Sequence, residues 1–253
     1  MTATCINGDC LEVMKTLPDK SIDLFLCDLP YGCFNGGGIK RTTGAFAGAG
    51  CEWDIKIDLT QFWTQVKRLC KNDKTPVLMF CNTKFGVDLI TSNPSWFRYD
   101  LVWNKNLGTS FLLANKQPMS SHEMIYVFGK KGTFYKRIDH AVEGRGSYFR
   151  ASSDYIGNRC YASKVKEIPE HNITDNKRCP VSVINFPKEQ NKRHPTCKSV
   201  ELYKWLVERY SNEGDTVLDP SAGSFNSGRA SLDLGRNYIG IEKDEKFFNE
   251  NKI

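Results

Sequence analysis

The residues Asp28-Leu29-Pro30-Tyr31-Gly32 close a compact apolar run, Ile22–Cys27. An acid followed by an X-Pro-aromatic turn places three chemical tools at one point. They are a carboxylate acceptor, a backbone carbonyl turned outward by the restricted geometry around Pro30, and a flat ring able to stack. This set suits an exocyclic amino group on a planar base, whose nitrogen lone pair is delocalised into the ring and is a poor nucleophile. Two acceptors, the Asp28 carboxylate and the Leu29 carbonyl, can each take an amino hydrogen and draw the lone pair toward a methyl donor. Tyr31 would hold the ring, after the base has left the helix stack if the substrate is a duplex. An Asp-x-Pro turn also ends strands for purely structural reasons, so the tetrapeptide by itself leaves both readings open.

A second motif lies near the other end. Thr216–Gly228 runs as Thr-Val-Leu-Asp-Pro-Ser-Ala-Gly-Ser-Phe-Asn-Ser-Gly, a short apolar strand, a small-residue turn and a helix start. Small residues let backbone approach a ligand, and a helix N-terminus offers free N–H groups. Asp219, Ser221, Gly223, Ser224, Phe225 and Asn226 are therefore candidate cofactor contacts. Roughly twenty residues on, the run Tyr238–Ile241 ends in Glu242, an acid placed as for ribose hydroxyls of a nucleotide-like cofactor. The pattern is not Gly-x-Gly-x-x-Gly, which argues against a nicotinamide dinucleotide, and not a Walker A sequence, which excludes an ATP P-loop.

With both motifs in view, the chain resembles the β-group DNA amino-methyltransferases, which use S-adenosylmethionine to methylate adenine N6 or cytosine N4. That group carries its Asp-Pro-Pro-Tyr element near the N-terminus and its cofactor turn near the C-terminus, a circularly permuted order matched by Asp28–Tyr31 and Asp219–Gly228. Asn7-Gly8-Asp9-Cys10 is similar to the family's Gly-Asp-Cys element, which makes Asp9 and Cys10 cofactor candidates. His194-Pro195-Thr196-Cys197-Lys198-Ser199 is similar to its His-Pro-Thr-Gln-Lys-Pro, which assigns Thr196 and Lys198 to the cofactor side. Ser121-His122-Glu123 matches a further element, for which a structural role is expected. Leu29 replaces the first proline, a change that spares a carbonyl. Phe225 stands where the cofactor turn usually has its second glycine and could reshape the methionine end of the pocket. Asp28 favours adenine; cytosine N4 and a non-catalytic DNA-binding relative are the alternatives, with RNA as a lesser substrate option. A C5-cytosine mechanism needs a Pro-Cys nucleophile, whereas Cys179-Pro180 has the reverse order.

These motifs need a framework. Ile22–Cys27, Thr75–Cys81, Tyr99–Trp103 and Met124–Phe128 read as strands. The segment after Asp58 (Leu59, Phe62, Trp63, Val66 and Leu69 on one face) and Lys84–Ser92 read as helices. A helix at Val200–Tyr210, a strand at Thr216–Leu218, a helix after Asn226 and a strand at Tyr238–Ile241 complete the pattern. The βα rhythm predicts an α/β fold, a Rossmann-like methyltransferase sheet with helices on both faces. The expected organisation is a catalytic part at 1–129, a basic target-recognition insertion at 130–193 and a cofactor-binding part at 194–253.

The 253 residues carry 35 Lys+Arg against 29 Asp+Glu, a net charge of +6. Between Lys130 and Lys198 there are 15 Lys+Arg and 7 Asp+Glu, a net +8, so the rest of the chain is at −2. Phe134, Tyr135, Tyr148, Phe149, Tyr155, Tyr161 and Phe186 interleave with these cations, as suits double-stranded DNA. The stretch Gly32–Gly50, with seven of the chain's twenty glycines, is expected to form a mobile loop that closes over DNA. Ten cysteines include no Cys-x-x-Cys pair and no zinc spacing with the histidines, so no metal is expected. No secretory signal and no membrane-length apolar run is visible, which predicts an intracellular protein. The resemblance adds a homodimer and a cognate restriction endonuclease as candidate partners.

Overall fold

The structure is a computed structural model that describes residues 1–32, 55–109, 111–141, 177–189 and 197–253. The predicted Gly32–Gly50 loop beyond Gly32 and most of the predicted insertion lie outside these residues. Two compact units are present, one made of residues 1–136 and 182–253, the other of residues 137–181.

The larger unit is built, in chain order, from β1 (Ala3–Asn7), α1 (Cys10–Thr16), β2 (Leu24–Cys27), α2 (Leu59–Leu69), β3 (Val77–Cys81), α3 (Thr83–Ser92), β4 (Phe97–Thr109) and β5 (Ser120–Phe128). After the smaller unit, which contains the two-residue strands β6 (His140–Ala141) and β7 (Lys177–Arg178), it resumes with β8 (Val183–Asn185) and α4 (Val200–Tyr210). It ends with β9 (Thr216–Asp219), α5 (Asn226–Asp233), β10 (Asn237–Glu242) and α6 (Glu245–Asn251). Its strands form one eight-stranded sheet in the order β1-β10-β9-β2-β3-β5-β4-β8. The five strands from β1 to β3 are parallel, and β5 runs antiparallel between β3 and β4.

The sequence explains this layering. Strands β2 and β3 are buried throughout, as expected where helices cover both faces. Alternation along them divides the core. Phe25, Cys27, Val77, Met79 and Cys81 face α1, α2 and α3, where Met14, Phe62, Trp63, Val66, Phe85 and Leu89 complete one layer. Leu24, Leu26, Leu78 and Phe80 face the other way, onto Leu202, Leu206, Val207 and Tyr210 of α4 and Ala230 of α5. Helix starts are set by side-chain caps. Asp58 accepts from the Thr60 and Gln61 amides at 2.8 and 3.1 Å, and Asn82 accepts from Phe85 at 2.8 Å.

Val200–Tyr210 is found with the predicted ends, and most other predicted elements are found with their ends moved. β4 is longer than Tyr99–Trp103, because a hairpin with β5 extends both strands beyond the sheet's edge. β1, α1, β8 and α6 fall in segments with no clear periodicity; each is short, and β8 finds its place only by pairing with β4. Among the described residues, no helix is long and apolar enough to cross a membrane, and no group of three or more metal-ligating side chains occurs.

Trp63 is 2% exposed, packs against Trp96 and Phe128, and donates from Nε1 to Ser92 Oγ at 2.8 Å. Trp63→Ala is expected to cost about 3–5 kcal/mol of unfolding free energy. Urea denaturation checks this, and a loss below 1 kcal/mol would show that α2 is not held through this residue.

Candidate active site

Five parallel strands end at one edge, and the candidate residues sit on their carboxyl ends. β2 pairs with β9 through Leu24↔Val217 and Phe25↔Leu218. That register sets the Asp28 turn beside the Asp219–Gly223 turn, although some 190 residues separate them in the chain. β10 lies on the other side of β9 and brings Glu242 to the same edge; β1, paired to β10, brings Asn7, Gly8 and Asp9.

In the tetrapeptide, the Leu29 side chain is buried in the core, so what this residue presents is its carbonyl. Both oxygens of Asp28 have partners. Tyr31 donates its phenol to Oδ1 at 2.9 Å, and the Lys198 ammonium meets Oδ2 at 2.6 Å. The Tyr31 ring stacks on Phe85, with centroids 5.1 Å apart and planes 27° apart. Phe85 sits in the first turn of α3, so a capped helix backs one face of the Tyr31 ring. Burial holds the Tyr31 phenol well above the ordinary tyrosine range, and the nearby Asp28 charge adds to it.

Lys198 belongs to a larger cluster. Its ammonium also lies 3.5 Å from Glu123 Oε2, and Glu123 Oε1 accepts from Lys105 Nζ at 3.2 Å. Both lysine side chains are nearly inaccessible, at 4%. Burial alone would lower the Lys198 pKa, but the Asp28 and Glu123 carboxylates outweigh it and hold it above the ordinary lysine range. For Glu123, burial pulls upward, and the two lysines outweigh it and keep its pKa below the usual range. Lys105 carries a signal that sequence reading missed. It follows Leu101 and Trp103 at a spacing of two on the buried face of β4, where a charge requires a partner.

The candidate cofactor turn is tied together from within. Asp219, 1% exposed, accepts from the Ser221 amide at 3.0 Å and the Ser227 hydroxyl at 2.5 Å. Gly223, at φ +49°, donates its N–H to Glu242 Oε2 at 2.7 Å, while Glu242 Oε1 accepts from the Asp244 amide at 2.8 Å. The Asn226 amide donates to the Lys198 carbonyl at 2.8 Å, and the Ser224 carbonyl accepts from Arg229 at 2.6 Å. The Ser221 hydroxyl is buried with no hydrogen-bond partner among the described residues.

Phe225 adopts the left-handed conformation, φ +55° and ψ +22°, which explains why a glycine would be at ease here. Its ring is fully buried in the layer beneath α4 and α5, against Phe248 of α6 at 6.1 Å. Asp9 caps α1 by accepting from the Leu11 amide at 2.9 Å and pairs with Lys243 at 3.1 Å. Cys10 follows it, its thiol pushed up to about 12 by burial and by the Asp9 charge, which leaves it unreactive. Thr196 and His194 lie outside the described residues.

A family model described as DNA methylase matches residues 22–252. The chain is 29% identical to the type II methyltransferase M.HinfI of Haemophilus influenzae, over 96% of this chain and 66% of that protein. It is 30% identical to the DNA adenine methyltransferase YhdJ of Escherichia coli, over 96% of this chain and 79% of that one. The crystal structure of the M1.HpyAVI–SAM complex superposes with a TM-score of 0.59 at 19% identity, covering 98% of this chain and 97% of the other.

Burial raises the Asp219 pKa to about 7, against the downward pull of its two hydrogen bonds and with Asp28 and Glu242 adding to the rise. A carboxyl whose pKa is higher folded than unfolded binds more protons in the native state. Its contribution is therefore largest at low pH and is lost as pH rises from about 4 to about 7. Asp219→Asn, measured by urea unfolding at pH 5 and pH 8, is expected to remove a fall of a few kcal/mol seen across that interval in the unsubstituted chain. Identical pH slopes in the two proteins would contradict the assignment. Phe225→Gly is expected to relax the turn by about 1 kcal/mol yet lose about 3–5 kcal/mol of ring burial, a net destabilisation on thermal melting. A higher melting temperature in that variant would show that the left-handed turn, not the ring, dominates.

Proposed function

The chain belongs to the N6/N4 DNA methylase family, and we propose that it transfers a methyl group from S-adenosylmethionine to adenine N6 in double-stranded DNA. The observation that carries this reading is the juxtaposition of the Asp28–Tyr31 turn with the Asp219–Glu242 turn on adjacent parallel strands. One holds a base and the other a nucleoside-like cofactor. The adenine choice draws on Asp28 as the first residue of the tetrapeptide and on YhdJ, named as a DNA adenine methyltransferase.

The cofactor turn suits such a ligand. A buried hydroxyl without a partner costs about 1–3 kcal/mol, and the Ser221 hydroxyl is in that position at the turn; a polar group of the cofactor would complete it. Glu242 is fixed by two amides, and each oxygen keeps a lone pair for a hydroxyl donor. Asp9 stands on the adjoining strand end as a second acceptor. Asp219, whose oxygens both hold the turn, acts by shaping it. S-adenosylmethionine supplies an electrophilic methyl carbon on a sulfonium.

The protein's part is orientation. The Asp28 carboxylate and the Leu29 carbonyl accept the two amino hydrogens, which turns the nitrogen lone pair out of conjugation. The base ring would stack on the face of Tyr31 opposite Phe85, which supports the tyrosine ring. Positioning and preorganised acceptors supply the rate. The basic, aromatic-rich segment 130–193 is the candidate DNA-facing region, and the Gly32–Gly50 stretch directly follows the Asp28–Tyr31 turn in the sequence.

Asp28→Ala is expected to lower transfer of labelled methyl to unmethylated DNA by on the order of 10²–10³-fold, as when one preorganised polar partner of a transition state is removed. Cofactor affinity by calorimetry should be nearly unchanged. Undiminished transfer by Asp28→Ala would refute the mechanism.

A further inference from the structure

The resemblance assigns Lys198 to the cofactor, but its ammonium lies on Asp28 Oδ2 at 2.6 Å. We propose that Lys198 is a positioning residue for methyl transfer, which fixes the Asp28 carboxylate and couples it to the cofactor turn, with Glu123 and Lys105 fixing Lys198 in turn. This rests on the functional reading above.

Lys198 helps define the plane of the Asp28 carboxylate. An Asp side chain turns broadly about its last bond, so a single contact would leave the acceptor direction undefined. Here the Tyr31 phenol holds Oδ1 and Lys198 holds Oδ2, two anchors on opposite oxygens. Each oxygen keeps lone-pair capacity for an incoming amino hydrogen. Tyr31 also has to serve the base ring, so the anchor independent of substrate is Lys198.

Lys198 is itself held in place by rings and charges. Its stem passes the Phe80 and Trp103 rings, with the ammonium 5.2 and 6.0 Å from their centroids. Glu123 Oε2, 3.5 Å away, is buried and makes no hydrogen bond among the described residues. Lys105 occupies Glu123 Oε1. The order Asp28, Lys198, Glu123, Lys105 alternates in sign and sums to zero, so no unbalanced charge is buried. Neutralising Asp28 would require only one lysine. The second pair fixes where that lysine stands, because Lys105 prevents Glu123 from swinging away.

The backbone of Lys198 is anchored as well. Asn226, the first residue of α5 at the cofactor turn, donates to the Lys198 carbonyl at 2.8 Å. Ser199, the next residue, caps α4 by accepting from Leu202 at 3.3 Å. Lys198 is therefore clamped by its main chain to the cofactor turn and by its side chain to Asp28. A displacement of about 1 Å between reacting groups can cost about 10²-fold in rate, and this one residue spans the two halves of the site.

The test compares Lys198→Met, Lys198→Arg and Glu123→Gln with the unsubstituted chain, measuring single-turnover methyl transfer at saturating cofactor and DNA, cofactor affinity by calorimetry, and thermal melting. The expected result is a loss of about 10²-fold in the single-turnover rate for Lys198→Met, with cofactor affinity little changed. Lys198→Arg should recover part of that rate because the ion pair is restored. Glu123→Gln keeps the shape of the side chain and should fall between the two. If Lys198→Met does not fold, the other two variants decide, and a wild-type rate in Glu123→Gln overturns the proposal. So does an unchanged rate in folded Lys198→Met, or weakened cofactor binding with the saturated rate intact, which would return Lys198 to the cofactor. Absence of methyl transfer by the unsubstituted chain would overturn the functional reading and this role with it. Transfer by that chain with no effect of Lys198→Met would overturn this role alone.

Discussion

Everything at the site depends on the parallel pairing of β2 with β9. It joins an N-terminal strand to one about 190 residues later, and neither turn makes a site without the other. The pairing is stable because both strands are apolar on both faces and are covered by helices on each side. It also creates a difficulty. Four acids, Asp9, Asp28, Asp219 and Glu242, stand on strand ends at one edge of the sheet. Each is accommodated in its own way: Asp9 with Lys243, Asp28 with Lys198, Glu242 by two amides, and Asp219 by a pKa raised to about 7.

These solutions separate the roles of residues that look equivalent in sequence. Asp219 is turned inward and shapes the loop, whereas Glu242 sits at the end of its strand with acceptor capacity left. Asp28 is bound on both oxygens yet keeps capacity for a donor. The neighbourhood of each acid, more than its position in a motif, sets what it can do.

Much of the frame could be read from the residues. Val200–Tyr210 is found as predicted, and the helix predicted after Asp58 is present as α2. Phe225 was legible only as an anomaly. Its left-handed backbone and the destination of its ring depend on α6, which left no periodic signal. The Lys198–Glu123–Lys105 cluster was not legible, because it joins β4, β5 and the start of α4 across the sheet, and no local spacing encodes such a meeting. Lys105 at an inward position of β4 was the one clue. Short elements such as β1 and β8 owe their existence to neighbours in the sheet, so their own sequence is silent.

On the proposed function, the edge formed by β2, β9 and β10 presents an adenine amino group to a methyl donor. Mass spectrometry of nucleosides from the DNA of cells expressing the chain, against cells lacking it, tests this most directly. N6-methyladenine that appears only with the protein is the expected result. N4-methylcytosine in its place, or no methylated nucleoside at all, would contradict it.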